Sequence, residues 1–412
     1  MTDQLTVKMK ADVSLISTEA PTERVVEIVL TTPPAGSASK RIPLNLGLVL
    51  DRSGSMQGEK IAQARQTLKR IVEQMSDGDV VSVVAFDDTV RTVADRTHIN
   101  SETRDALCRD IDHIHSGGST NLTDGWLTGC NCVAEGSSTD HVRRTLLVSD
   151  GLANVGIVNN EEIWQHAAAL FERGIPTSTF GVGLGFNEHL LEGMANRGGG
   201  NFAYIESAAV IDQVIMQEFK DLVAVTARGV KVEINLPAGV RAEIPGEWKM
   251  KHEPRKITVF LSDLPANRNT NLFLKLITPP GDGQLVLNTV VTYESESKEK
   301  RTVIEEFSFQ YAIEEKVSAA KKDQDLMRRF AAVIAGQQMN EALKLERAGR
   351  RRESKEVMDQ MLSQYGADMP APTSARYREV ANRIERGLEE PERKNLNMDS
   401  YLLKKHRHED EK

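Results

Sequence analysis

Between residues 43 and 225 the chain repeats one pattern five times, a short apolar run followed by a longer stretch of helical spacing. The runs are residues 44–50, 80–86, 145–148, 177–182 and 202–205; the stretches are 58–75, 101–114, 161–173, 188–196 and 208–225. The runs are apolar on both strand faces, as in Val80-Val81-Ser82-Val83-Val84-Ala85-Phe86. Strands of that kind alternating with helices form a parallel sheet covered on both sides, because parallel neighbours need a crossover connection. The expected fold class is therefore α/β, a doubly wound, mostly parallel, Rossmann-like sheet. Ser101 is placed to cap the second helix and Gly174 to close the third.

On either side of this stretch the period falls to two. Residues 5–10 and 25–30 read as strands, followed by a loop at Pro33-Pro34-Ala35-Gly36-Ser37. After Arg228, Val230-Lys231-Val232-Glu233-Ile234-Asn235-Leu236 alternates cleanly, and 256–261, 271–277, 284–293 and 301–311 follow between Pro, Gly, Asp and Asn turns. Five strands at this spacing describe an antiparallel β-sandwich. The two N-terminal strands would bring it to seven, with the α/β domain inserted; the alternative is that residues 1–40 edge the α/β sheet. From Glu314 to Ala348 the chain reads as continuous helix, and 351–365 and 374–388 are two more, separated by Met369-Pro370-Ala371-Pro372. Three such helices make a small bundle. The expected division is 1–40, N-terminal strands of the sandwich; 41–226, the α/β domain; 227–313, the sandwich; and 314–412, a C-terminal helical region with a charged tail.

Charge and cysteine content narrow the class. The 412 residues carry 52 Lys+Arg and 60 Asp+Glu, a net charge of −8, without the basic footprint of a nucleic-acid binder. From Glu314 onward there are 21 Lys+Arg and 19 Asp+Glu, so the acidity lies in residues 1–313. Apolar runs such as Val83-Val84-Ala85-Phe86 fall far short of a membrane span, and Met1-Thr2-Asp3-Gln4 does not open a secretory pattern. Three cysteines exclude a disulfide framework. The expectation is a cytoplasmic protein.

Directly after the first apolar run stands Asp51-Arg52-Ser53-Gly54-Ser55-Met56. In a doubly wound sheet, ligands bind beyond the carboxyl ends of the strands. One carboxylate and two hydroxyls at alternating positions form an oxygen-only set suited to a hard cation such as Mg²⁺, and Gly54 permits the tight turn between the serines. A polar strand-to-helix turn produces the same short pattern when its Ser caps a helix. Two further loops strengthen the metal reading. Ser116-Gly117-Gly118-Ser119-Thr120-Asn121-Leu122 offers Thr120, and Val148-Ser149-Asp150-Gly151 offers Asp150 at the end of the third strand.

The set Asp51, Ser53, Ser55, Thr120 and Asp150 resembles the metal-ion-dependent adhesion site of von Willebrand factor type A domains. Flanking strings fit as well, notably Gly47-Leu48-Val49-Leu50 and Thr177-Ser178-Thr179-Phe180-Gly181-Val182-Gly183, and the resemblance covers about residues 40–226. The wider layout, down to Arg393-Lys394 and Tyr401, is similar to bacterial cytoplasmic proteins labelled calcium-activated chloride channel homologues. The resemblance implies a divalent cation (Mg²⁺, with Mn²⁺ or Ca²⁺ as alternatives) held partly through water, one coordination position open, and a Glu or Asp of a protein partner completing the shell. It implies that the Thr120 contact differs between states, and it offers an AAA+ ATPase or a larger assembly as partner. The competing functions are a Mg²⁺-dependent phosphatase or hydrolase using Asp51, and a metal that only stabilises the fold. Phosphatases with an aspartyl nucleophile generally need a second Asp two residues on, where this chain has Ser53.

Other motifs have simpler readings. Gly181-x-Gly183-x-Gly185 lacks the Gly-x-Gly-x-x-Gly spacing and reads as a turn before a helix capped by Asn187; Gly198-Gly199-Gly200 reads as a helix stop and hairpin-like turn. Cys130-x-Cys132 points its thiols in different directions on a helix, and Cys108 reads as core. Asp87-Asp88 reads as a turn or cap with an auxiliary ion contact as the minor option, and Asp124 as a first-turn acid on the helix dipole. Arg350-Arg351-Arg352 is interrupted by Glu346, Glu353 and Glu356, so local pairing is expected. His406 and His408 read as a disordered tail. His141, His166 and His189 stand in no catalytic signature, and Ser149 lacks a nucleophile elbow.

Overall fold

The computed structural model describes residues 4–35, 41–135 and 140–405. The start of the chain at residues 1–3, Gly36 and Ser37 of the first loop, and His406 and His408 lie outside the described residues. The chain opens with β1 (Thr6–Ala11), β2 (Leu15–Ser17) and β3 (Thr22–Thr31). It continues through β4 (Leu44–Asp51), α1 (Glu59–Gln74), β5 (Val80–Phe86), β6 (Val90–His98), α2 (Ser101–Asp112), α3 (Leu122–Glu135), β7 (Val142–Ser149), α4 (Asn160–Glu172), β8 (Thr177–Val182), α5 (Glu188–Arg197), β9 (Gly199–Ile205) and α6 (Ile211–Val223). Next come β10 (Val225–Asn235), β11 (Arg241–Glu243), β12 (Lys249–Glu253), β13 (Lys256–Phe260), β14 (Leu264–Pro265), β15 (Asn269–Thr278), β16 (Gln284–Ser295) and β17 (Lys300–Ala312). The last elements are α7 (Glu314–Ala319), α8 (Gln324–Arg347), α9 (Arg351–Tyr365), α10 (Ala371–Arg386) and α11 (Glu390–Lys404).

The central sheet has the order β6-β5-β4-β7-β8-β9 and is parallel except for β6. Every residue of β4 and β5 is buried, because helices cover both faces. Leu46, Leu48 and Leu50 pack with α1, α2 and α6, while Val49, Val84 and Phe86 pack with α3, α4 and α5. The alternation of strand side chains thus feeds two separate cores. β6 was not legible as an apolar run, because it is an antiparallel edge strand whose residues are half-buried or exposed. The second helix is capped by Asn100 rather than Ser101: Asn100 accepts from the Thr103 backbone N–H at 2.9 Å, and the Thr103 hydroxyl accepts from the Asn100 N–H at 3.0 Å. Gly199 and Gly200 begin strand β9 instead of turning a hairpin. A methyl group on Gly200 would stand 2.0 Å from the Thr177 carbonyl oxygen, so the close approach of β9 to β8 needs glycine there.

The N-terminal strands do not edge this sheet. β3 lies between β1 and β15 in the sheet β1-β3-β15-β11, with ten paired residues from Thr22↔Thr278 to Thr31↔Asn269. The facing sheet runs β12-β13-β10-β16-β17-β2, with β14 also on β10. Between them Ile28, Leu30, Leu272 and Leu274 meet Val232, Ile234, Val291 and Phe309. The strands absent from the sequence reading, β2, β11, β12 and β14, span at most five residues and add little apolar pattern.

The helical region departs from the expected three helices. The stretch from Glu314 breaks at Asp323, whose carboxylate accepts the N–H groups of Asp325 and Leu326 at 3.1 and 3.0 Å and pairs with Lys10 of β1. This cap starts α8 anew. The added helix α11 docks on the α/β domain. Tyr401 accepts the Phe202 N–H of β9 at 2.8 Å. Lys394 donates to the Phe186 carbonyl and to Glu188, both at 2.9 Å, and Lys404 to Glu192 and Glu247, both at 2.7 Å. Both ammonium groups are buried. The basic run pairs locally as expected, Arg350 with Glu353 and Arg352 with Glu356, but Glu346 is turned inward to Arg393.

Replacing one member of a buried ion cluster leaves the others unpaired, which costs about 3–5 kcal/mol. Lys404→Met is expected to lower unfolding stability by that order in urea titration, and Lys404→Met with Glu192→Leu to recover part of it. A loss below about 1 kcal/mol would show that water reaches the cluster.

Candidate metal centre

Three loops meet at the carboxyl edge of β4, β5 and β7, and backbone bonds lock them together. The Arg52 N–H donates to the Phe86 carbonyl at 2.8 Å, the Gly117 N–H to the Arg52 carbonyl at 2.7 Å, and the Gly54 N–H to the Gly118 carbonyl at 3.0 Å. The Asn121 N–H donates to the Asp87 carbonyl at 2.7 Å. The loop after β7 joins through Asn154, whose side chain accepts the Thr120 N–H at 3.1 Å.

Asp87 organises this junction. Its carboxylate accepts from Arg52 and from the Thr89 N–H at 2.9 Å, from the Thr89 hydroxyl at 2.8 Å and from the Gly118 N–H at 3.2 Å. Burial works to raise its pKa, but these hydrogen bonds and the Arg52 charge outweigh it, and the net direction is downward. The residue is thus a clamp between loops. A methyl group on Gly117 would stand 2.3 Å from its Oδ2, so the clamp needs glycine opposite.

The five predicted residues come together. Ser53 and Ser55 hydroxyls stand 3.1 Å apart, and Ser55 donates to Asp150 Oδ1 at 2.7 Å. Asp51 Oδ1 accepts the Ser53 N–H at 2.8 Å, and Asp51 Oδ2 accepts the Ser149 hydroxyl. Thr120 reaches the same point: a methyl group on Gly151 would stand 2.9 Å from Thr120 Oγ1 and 3.4 Å from Asp51 Oδ2. Asp51, Ser53, Thr120 and Asp150 are buried, whereas Ser55 is exposed.

The charges in this cluster are incompletely matched. Burial pushes Asp51 up to about 6; hydrogen bonds from Ser149 and Ser53 offset part of that rise, and the neighbouring Asp150 adds to it. Asp150 has a counter-ion in Lys60 of α1, which pairs with its Oδ2 and donates to the Ser55 carbonyl at 3.3 Å. Lys60 was not anticipated; its signal is its place at the second residue of the helix that follows the Asp51 loop. Ser149 and Asn154 were missed because they act by holding Asp51 and the Thr120 loop.

Residues 45–217 match the family described as the von Willebrand factor type A domain. The chain carries a von Willebrand factor type A (VWA) domain. A protein of Synechocystis sp., uncharacterized protein sll0103, is 26% identical over 218 residues, 52% of this chain and 51% of that protein. Human inter-alpha-trypsin inhibitor heavy chain H3 is 30% identical over 178 residues, 41% of this chain and 20% of that protein. The matched stretch therefore spans about half, or less, of these curated relatives. The solved von Willebrand factor type A protein from Catenulispora acidiphila matches with a TM-score of 0.73 at 13% identity, covering 96% of both chains. The fold shared with it extends well beyond the VWA domain.

The donor set of this VWA domain fits a hard divalent cation. Two carboxylates match the charge and three hydroxyls supply neutral oxygens, while the Lys60 ammonium competes with a cation for Asp150 Oδ2. Among the described residues no group of three or more His, Cys, Asp or Glu side chains is arranged for a metal, so a cation here uses hydroxyls as well. Cys130 is buried and Cys132 half-buried on α3, both unbridged, and burial raises both thiols.

Two tests follow from this geometry. The folded value of Asp51, about 6, lies above its ordinary 3.8, so the folded state favours the protonated form. That stability is full below 3.8 and is lost as pH rises through about 6. A cation that needs the carboxylate offsets the loss, so the thermal shift on adding Mg²⁺ is expected to grow as pH rises through that window and to vanish in Asp51→Asn; a pH-independent shift in scanning fluorimetry would contradict this. Gly151→Ala crowds the Thr120 hydroxyl, and overpacking of about 1–3 kcal/mol, if borne by the ion-bound form, weakens Mn²⁺ binding by about five- to 150-fold in titration calorimetry.

Proposed function

We propose that the VWA domain holds a divalent cation, Mg²⁺ in the first instance with Mn²⁺ or Ca²⁺ as alternatives, and recognises a protein partner that supplies a Glu or Asp to it. Asp51, Ser53, Ser55, Thr120 and Asp150 are the proposed ligands, some of them through water. The observation that carries the reading is their gathering from three loops into one oxygen-only cluster with Ser55 open to solvent. Two carboxylates neutralise a divalent ion, and Lys60 leaves the spot net positive, which attracts an acidic side chain. When bound, the cation supplies a Lewis-acidic position for that carboxylate.

A phosphatase reading fares worse. Both Asp51 oxygens are engaged, the side chain is fully buried, and Ser53 stands where a second carboxylate is needed. We therefore assign a non-enzymatic interaction role. An AAA+ ATPase or a larger assembly is proposed as the class of partner on the resemblance alone. Three unbridged cysteines fit a reducing compartment, and a cytoplasmic location is part of the proposal. No helix among the described residues is long and apolar enough to cross a membrane.

The test is affinity capture with the wild-type chain and Asp51→Ala, each in Mg²⁺ and in EDTA. A partner held only by the wild type in Mg²⁺ is expected. Equal retention in all four conditions would overturn metal-completed recognition, and a Mg²⁺ thermal shift with no metal-sensitive partner would favour a purely structural ion.

A further inference from the structure

Six large apolar side chains are exposed among the described residues, and three of them, Leu152, Val158 and Leu184, lie on the two loops beside the candidate metal centre. Leu152 follows Asp150 by two positions. Leu184 sits between two glycines that lie against the ammonium and the backbone of the Lys60–Asp150 pair: a methyl group on Gly183 would stand 3.5 Å from Lys60 Nζ, and one on Gly185 would stand 3.0 Å from the Asp150 backbone carbonyl oxygen.

These side chains are held outward by fixed backbone. The loop after β7 is tied at Asn154, whose N–H donates to the Thr120 carbonyl at 3.3 Å, and at Ile157, whose carbonyl accepts the Thr123 hydroxyl at 2.7 Å. Along residues 152–158 the exposure alternates. Ala153, Val155 and Ile157 are half-buried, whereas Leu152 and Val158 are exposed. Ala153 and Ile157 pack on the core beneath. An ordered loop that anchors its small and inner residues and presents leucine and valine to water makes an apolar rim, and exposed apolar surface of this kind marks interaction sites.

We infer that this rim is the second half of the recognition surface, and that it selects partners whose acidic residue is flanked by aliphatic side chains. The inference rests on the proposed metal-completed reading. Charge complementarity fixes the acidic centre: a cation in the cluster, with Lys60 already pairing Asp150, favours an anion. Continuity fixes the flanks. In an extended segment side chains alternate between two faces, so the residues two positions before and after a carboxylate aimed at the metal, roughly 6.5–7 Å along the chain, share its face and meet the rim that Leu152 and Leu184 line. The occupant is therefore an extended, acidic and aliphatic segment of another protein.

The test uses the full chain and three labelled, end-capped hexapeptides followed by fluorescence anisotropy. One carries a central Glu among Leu and Val, the second the same Glu among Ser, and the third a Gln among Leu and Val. In Mg²⁺ the first is expected to bind about tenfold tighter than the second, the scale of partial burial of two leucines. Leu152→Ser with Leu184→Ser should erase that preference, while Ile304→Ser, exposed on β17 far from these loops in the chain, should leave it intact. Equal binding of the two Glu peptides, both lost in EDTA, would overturn the apolar rim and leave the metal reading standing. Binding of the first peptide that survives EDTA and matches the Gln peptide would overturn the metal reading itself. No binding by any peptide at millimolar concentration would overturn the inference.

Discussion

Strand β4 sets the terms for the rest of the molecule. It hydrogen-bonds in parallel to β5 on one side and β7 on the other, over seven residue pairs each, so the three strands end at one edge. Asp51, Asp87 and Asp150 stand at or just beyond those ends, on neighbouring strands, although they are far apart in the chain. The same burial that stabilises β4 extends to its last residue, and Asp51 is fully shielded. An anion held there without a matching cation is costly, which is why its pKa moves up to about 6. The centre is charge-starved because the strand that carries it is buried along its whole length.

Most of the central sheet was legible because each of its parallel strands had to be apolar on both faces, a pattern that no surface segment imitates. The gathering of the candidate set was legible for a related reason: strand ends are fixed by topology, which puts Asp51 and Asp150 on one edge. What stayed hidden was whatever depends on partners distant in the chain. β6 is paired on one side only and carries Arg91, Asp95 and Arg96 in its middle, so no apolar run marks it. The break at Asp323 depends on a carboxylate that faces both Lys10 and the new helix start. α11 reads as charged surface because Lys394 and Lys404, lysines by composition, are buried against glutamates some two hundred residues earlier.

The supporting residues of the centre show the same limit. Ser149 and Asn154 are ordinary polar residues until the loops are folded against one another. Lys60 lies on a helix face that is half exposed, and only the geometry brings its ammonium to Asp150. Sequence motifs locate the oxygen atoms that touch a ligand; they are silent about the groups that tune their charge and hold their positions.

The interleaving of chain and sandwich has a mechanical consequence. β3 enters the sheet before the VWA domain begins, and β10 and β15 follow after it, so the VWA domain is joined to the sandwich by two chain crossings rather than one. α11 adds a third attachment through Tyr401, Lys394 and Lys404. A domain hung on a single linker swivels under load. Here a pull applied at the carboxyl edge is divided among three attachments arranged in parallel. The VWA domain is therefore braced against the sandwich rather than hinged to it, and side-chain pairs such as Arg268–Asp221 and Lys249–Glu172 add to the bracing.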